Sequence, residues 1–186
     1  MTDINDTPPN GSAPATSLTG KYLTFQLGRE CYGFPVLKVR EIIRYVTPTQ
    51  VPQVPEHVKG VINLRGKIVP VVDLRLKFGF PADVTSDHVC IVVVQIASAS
   101  GRTTVTGMVV DGVEEVIQVS TQEIEPAPDF GIGLDTKYIL GMAKIRGTVK
   151  TLLDMDKLLT AETMETIRNH ASAQPQPASQ AHNQAE

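Results

Sequence analysis

The chain repeats itself, and a repeat of this kind restricts it to folds built from two like units. The run Gly60-Val-Ile-Asn63-Leu64-Arg65-Gly66-Lys-Ile-Val-Pro-Val-Val-Asp73-Leu74 aligns without a gap on the run from Gly141 to Met155, 81 positions on, with Gly141, Arg146, Gly147 and Asp154 as identical partners. A second pair, Tyr32 to Ile43 and Thr106 to Ile117, matches at an offset of 74 and keeps Gly33 with Gly107, Val36 with Val110, Val39 with Val113, Glu41 with Glu115 and Ile43 with Ile117. The offset grows because the connection 118–140 has 23 residues where 44–59 has 16, which is how a duplicated fold absorbs a loop insertion. Two similar modules in tandem are predicted, a first of about 21–85 and a second of about 86–160.

The period inside each module is mostly two. Tyr22 to Leu27 alternates, Val61 to Leu64 and Lys67 to Val72 are β-branched runs, and Cys90 to Ile96 reads as a strand buried on both faces. Short strands at such spacing predict an all-β chain of two small barrels. Lobes of about seventy residues are marginal alone, so they should share an interface. Arg65-Gly66 lies between two strand-like runs, where a residue-glycine pair makes a two-residue hairpin turn with positive φ. Arg146-Gly147 should do the same, so each lobe lifts one arginine on a rigid tip. Asp73 and Asp154 precede the helix-compatible stretches Leu74–Phe78 and Met155–Leu159 and read as N-caps. Pro35 suits the first position of a single helical turn with Val36 and Val39 on one side. Thr160 is a candidate cap for a C-terminal helix over 161–170 that packs through Met164 and Ile167.

Residues 1–20 and 171–186 are rich in Thr, Pro, Ser, Ala and Gln and carry too little apolar surface to offset chain entropy, so both are expected to be disordered tails. The formal net charge of −3 with scattered Lys and Arg leaves no footprint for nucleic acid. The longest apolar run, Val89 to Ile96, falls far short of the ~20 residues of a membrane span. The start Met1-Thr-Asp-Ile-Asn-Asp has no signal-peptide character, so a cytoplasmic protein with reduced thiols is expected. Cys31 and Cys90 then read as small strand or core residues.

Catalytic patterns are sparse. His57, His88, His170 and His182 have no ligand spacing with one another or with the cysteines. Gly131-Ile-Gly133 lacks the other glycines and the Lys-Ser or Lys-Thr pair of a phosphate loop. Glu41 and Glu115 could be imagined as an acid/base pair. A duplication places them symmetrically in any case, and solvated carboxylates at strand ends are the commoner outcome. No catalytic residue, metal site or cofactor is therefore expected. Arg65 is different: a surface ion pair contributes only about 0–1 kcal/mol, whereas an arginine buried in a protein interface contributes about 2 kcal/mol or more.

The run Gly60 to Arg75, with its Asn-Leu-Arg-Gly…Pro-Val-Val-Asp-Leu-Arg pattern, preceded by Tyr32-Gly33-Phe-Pro-Val36-Leu-Lys-Val39-Arg-Glu41-Ile and followed by Glu125-Pro126-Ala-Pro128, resembles the CheW family of bacterial chemotaxis coupling proteins. The resemblance covers 21 to about 160. It implies two SH3-like five-stranded barrels around a shared core and a non-catalytic scaffold, cytoplasmic and associated with receptor arrays at the membrane. Its implied partners are the cytoplasmic tips of chemoreceptors and the regulatory domain of the histidine kinase CheA. Carried over by position, Val39, Glu41 and Arg65 are implied receptor-binding residues. Gly60 matches a hairpin residue the family depends on, and Asn63 and Gly66 shape the same tip. Arg146 is the paralogous tip and a weaker candidate. In this reading a receptor helical hairpin lays an apolar stripe near Val39, and Glu41 selects a basic or amide group at the rim.

A small-ligand or enzymatic double barrel with a site between the lobes is the alternative, and it would need convergent polar groups with shifted pKa values. An SH3-type reader of proline-rich peptides would need more aromatic surface than no Trp, four Tyr and five Phe supply.

Overall fold

The computed structural model describes residues 18–81, 87–97, 103–128 and 137–159. In chain order the elements are β1 (Gly20–Leu27), β2 (Glu30–Pro35), a 3₁₀ turn (Val36–Lys38), β3 (Val39–Arg44), β4 (Val58–Leu64), β5 (Lys67–Asp73), α1 (Leu74–Lys77), β6 (Cys90–Ala97), β7 (Thr103–Val110) and β8 (Gly112–Val119). A second 3₁₀ turn (Thr121–Glu123), β9 (Ile124–Glu125), β10 (Ile139–Ile145), β11 (Thr148–Leu153) and α2 (Met155–Leu158) follow. The chain is all-β with minor helices, as expected. The C-terminal helix over 161–170, its cap Thr160, the 171–186 tail, His170, His182 and Gly131-Ile-Gly133 lie outside the described residues. So do residues 1–17, but the expected tail ends too late at residue 20: Gly20 opens β1 opposite Val119, and the Tyr22 hydroxyl donates to the Leu18 carbonyl at 2.7 Å.

The strands form two sheets, in the orders β3-β6-β7-β5-β4 and β8-β1-β2-β11-β10-β9, the sixth strand being the two-residue β9. These orders are the same arrangement written twice, with β3 standing for β8, β6 for β1, β7 for β2, β5 for β11 and β4 for β10. Neither sheet, however, belongs to one half of the chain. The leading hairpin β1-β2 sits in the sheet of β8, β10 and β11, and the leading hairpin β6-β7 sits in the sheet of β3, β4 and β5. A boundary near residue 85 therefore divides the sequence repeat but not the sheets: the halves have exchanged their first hairpins, an intramolecular counterpart of domain swapping.

The exchange is held by two parallel pairings at matching repeat positions, Val71 opposite Gly107 and Leu152 opposite Gly33. Glycine makes room at both, more strictly at Gly107. A Cβ on Gly107 would lie 2.7 Å from Ile91 Cγ2, and one on Gly33 would lie 3.1 Å from Leu152 Cδ2. Two ion pairs also cross between the halves: Arg75 of α1 to Asp111 at 2.6 Å, and Lys38 to Asp156 of α2 at 2.7 Å. Arg75 and Asp156 are matching repeat positions, but their partners are one residue apart in the repeat: Asp111 matches Leu37, and Lys38 matches Gly112.

Strand alternation sorts the apolar residues into three cores. Leu23, Phe25 and Leu27 of β1, Val92, Val94 and Ile96 of β6, Met108 and Val110 of β7 and Leu153, Met155, Leu158 and Leu159 meet in one cluster between the sheets. The other face of β6, Ile91 and Val93, packs with Ile62, Val69, Val71 and Val109 under the five-stranded sheet. Tyr22, Ile117, Val119, Ala143 and Leu152 do so under the six-stranded one. The expected shared interface is thus the largest cluster, and β6 is buried on both faces as its run of valines predicts. Phe34, Phe25, Tyr32, Phe78 and Tyr138 form a chain of ring contacts along it, with centroids 4.2, 5.9, 5.5 and 5.5 Å apart.

The caps behave as predicted. Asp73 accepts from the amides of Arg75 and Leu76, and Asp154 from those of Asp156 and Lys157. Pro35 stands just before its 3₁₀ turn rather than at the first position, and Val36 and Val39 both pack against the shared core.

Gly107→Val should lower stability by about 1–3 kcal/mol through overpacking against Ile91, read as a fall in the urea midpoint. Gly20→Ala, where nothing lies within 4 Å, should leave the midpoint unchanged.

Candidate functional site

The hairpin β4-β5 turns through Arg65 at φ 52° and Gly66 at φ 81°, the paired positive angles of a primed two-residue turn. Asn63 Oδ1 accepts from the Gly66 amide at 2.8 Å, tying the tip down from the strand side. Arg146 at 50° and Gly147 at 80° repeat the turn in β10-β11, but Lys144 stands where Asn63 does and cannot accept such a bond. Gly60 acts further back. Its φ is 124°, and a Cβ there would fall 2.0 Å from the Thr49 carbonyl oxygen, so glycine lets Thr49 bridge to Val61 through hydrogen bonds of 2.8 and 2.9 Å.

The structure brings Glu41 and Arg65 together: Arg65 Nη2 donates to Glu41 Oε2 at 2.8 Å, with the side chains 27% and 80% exposed respectively. The pair contributes about 0–1 kcal/mol to stability at such exposure. Its structural effect is to hold the guanidinium over a groove. That groove, of about 450 Å³, has a floor of Val69, Val93 and Val105 and a rim of Arg40, Glu41, Arg65 and Lys67, with Ile68 exposed beside it. Arg40 and Glu41 both reach it because the β3-β6 register shifts between Val39 and Glu41. Val39 is not part of the wall; half-buried, it packs against the shared core.

Arg40 and Lys67 were not singled out by the sequence, although their charge and their place near Glu41 and Arg65 were legible. Val93 and Val105 could not have been found there, because the hairpin that carries them is exchanged from the other half. The Glu41 carboxylate, expected at the rim, accepts from Arg65 within the chain.

The duplicate groove is filled. Val69 is replaced by Lys150 at the matching position, Val105 by Cys31 and Arg40 by Glu114. Thr24, which pairs with Gly33 as Val93 pairs with Gly107, completes the set. The Lys150 ammonium, only 9% exposed, donates to Glu114 Oε2 at 2.8 Å and to Cys31 Sγ at 3.2 Å. The Cys31 thiol donates to the same carboxylate oxygen at 2.9 Å, and Gln26 Nε2 donates to Oε1, also at 2.9 Å. Thr24 Oγ1 donates to the Glu115 carbonyl and receives its amide, satisfying the backbone where β1 and β8 slip register. Arg146 comes no nearer than 3.7 Å to Glu115. Cys31 therefore belongs to a polar network, where the sequence suggested only a packing role. Cys90 is a half-buried strand residue.

These contacts move the titrations. Hydrogen bonds from Cys31 and then Lys150 pull the Glu114 carboxyl down to about 2. Burial, with the hydrogen bond to Glu114, pushes the Cys31 thiol up to about 11, so it stays protonated and unreactive. Burial alone would lower the Lys150 ammonium, but its bonds to Glu114 and Cys31 outweigh that and raise it. Elsewhere, burial lowers His57. Among the described residues no group of three or more His, Cys, Asp or Glu could hold a metal ion.

A CheW-like domain matches residues 21–163. The chain belongs to the CheW family. It is 36% identical over 168 residues to the chemotaxis protein CheW of Klebsiella aerogenes, covering 88% of this chain and 98% of the relative. It is 31% identical to that of Rhizobium meliloti, covering 84% and 97%. Among solved structures, the scaffolding protein TtCheW of Thermoanaerobacter tengcongensis superposes with a TM-score of 0.66 at 35% identity, over 76% of this chain and 92% of that one. As a CheW-family protein the chain is a chemotaxis coupling scaffold and not an enzyme.

Glu114 yields a pH prediction. Its carboxyl sits at about 2 when folded, against an ordinary value of 4.5, so it favours the folded state above pH 4.5, and that contribution is lost as pH falls toward 2. Glu114→Gln should be less stable than the parent at pH 7, and urea midpoints measured from pH 7 to 2 should converge at the acid end.

Proposed function

We propose that the groove beside the Arg65 tip is where this scaffold grips the cytoplasmic tip of a chemoreceptor, and that the rest of its surface holds the histidine kinase CheA, so that the two meet in one complex. One observation carries this reading. At two matching places in the same duplicated framework, one keeps an apolar-lined groove with Ile68 exposed beside it, and the other carries the polar network of Lys150, Glu114, Cys31 and Thr24.

The lining supports a helical partner with an apolar stripe. Its side chains would cover the exposed Ile68 and the exposed part of Val105, above the already buried Val69 and Val93, and that burial contributes about 25 cal/mol per Å² before the costs of association. Because Glu41 and Arg65 pair with each other, the rim presents Arg40 and Lys67 as its unbalanced charge. Acidic groups flanking the stripe are thus favoured over the basic or amide group first assigned to Glu41. Asn63, Gly66 and Gly60 act by fixing the tip, and Val39 by anchoring the start of β3. Arg146, over a filled groove, is not a second receptor contact. The work of coupling is contact alone: a shift of the seated helix is passed through the framework to the kinase, and couplings of this kind are worth about 1–3 kcal/mol.

Among the described residues no helix is long and apolar enough to cross a membrane. Placement beneath receptor arrays would come from the receptors themselves.

Assembly with purified receptor cytoplasmic fragments and CheA tests the reading. Arg65→Ala should weaken receptor capture about thirtyfold, the equivalent of ~2 kcal/mol for an interface arginine. Arg146→Ala should bind as the parent does. Glu41→Lys, which removes the carboxylate that holds the Arg65 guanidinium, should also weaken capture while the melting temperature moves by only a few degrees, since a surface change costs about 0.5 kcal/mol or less. Full capture by Arg65→Ala would remove the tip from the interface.

A further inference from the structure

Among the described residues Leu37 is the most exposed of the large apolar side chains, at 96%. It sits on the 3₁₀ turn between β2 and β3 and lines, with Leu18, Tyr22, Pro35, Val36 and Leu140, a groove of about 500 Å³. A lone exposed leucine needs no explanation. This one stands at an apolar groove, and at a position that its duplicate covers.

The duplicate is Asp111, 74 residues on, in the turn between β7 and β8. Its side chain is 15% exposed, accepts the Gly28 amide at 2.6 Å and pairs with Arg75 of α1 at 2.6 Å. The helix that follows β5 thus closes over its turn. The helix that follows β11 stops short of the matching residue: Asp156, 81 positions on from Arg75, pairs with Lys38 at 2.7 Å and leaves Leu37 uncovered.

The chain leaves the described structure at this place. Leu158 and Leu159 are 3% and 1% exposed in the same core cluster against which Val36 packs. The next residues carry Thr160, Met164, Ile167 and Ala171 on one side of a helical projection, with Glu162, Glu165 and Asn169 opposite. A ten-residue helix is about 15 Å long and marginal alone in water, so it needs an apolar surface to form.

We propose that residues 161–170 form an amphipathic helix that docks in the groove at Leu37, with Met164 and Ile167 covering Leu37, Val36 and Leu140. The occupant is the chain's own C-terminal segment, delivered to the groove by the Lys38–Asp156 pair. It would supply the cover that Arg75 and Gly28 supply over Asp111.

Hydrogen exchange by mass spectrometry on the full chain tests this. Amides in 164–170 should be protected at least about tenfold in the parent. Leu37→Asp and Met164→Asp should each return them to the unprotected rate while the strands keep their protection; Leu37 is exposed enough for its replacement to leave the sheets intact. Unprotected amides in the parent would overturn the proposal, as would protection that survives both substitutions. Protection that appears only as concentration rises, with a dimer in sedimentation, would assign the groove to a second copy and overturn it equally.

Discussion

Two parallel strand pairs hold this molecule in its shape. β5 lies beside β7 and β11 beside β2, and each pair joins strands from different halves of the chain. Parallel neighbours require a long crossover, and here residues 74–102 lie between β5 and β7 and residues 36–147 between β2 and β11. Neither half can finish its own sheet, so the shared cluster, the two cross-half ion pairs and the close approaches at Gly33 and Gly107 form together or not at all. The two lobes are expected to unfold as one cooperative body, with no stable single lobe.

That rigidity serves the candidate site. The floor of the open groove comes from β5 and from the exchanged strands β6 and β7, while its rim comes from β3 and the Arg65 tip. The surface offered to a partner is therefore assembled across the exchange. A coupling scaffold of this kind needs no catalytic group to act. The filled duplicate shows how two copies of one pattern diverged: four substitutions at floor and rim convert an apolar trough into a buried ionic network.

Much of this was legible in the sequence because it is local. The turn at Arg65-Gly66, the caps Asp73 and Asp154 and the double burial of β6 each depend on neighbours within a few positions or on a simple period. The repeat announced two like units, and their sheets do share one strand order. Hairpin exchange was not legible, because a swapped and an unswapped duplication have the same alternation, the same turns and the same repeat. Everything that depends on it was hidden for that reason: Val93 and Val105 in the groove floor, the meeting of Cys31, Glu114 and Lys150, and the Arg75–Asp111 pair. The place of Val39 was hidden for a smaller cause, a register shift of one residue that brings Arg40 and Glu41 to the groove while Val39 packs on the core.

The lysine that fills the second trough has a consequence for how such molecules pack into larger bodies. A duplicated unit with two equivalent troughs could be entered from either end, and a lattice built on it would have no preferred heading. With Lys150 anchored to Glu114 the second trough is closed, so any assembly of copies through the open one would have a heading.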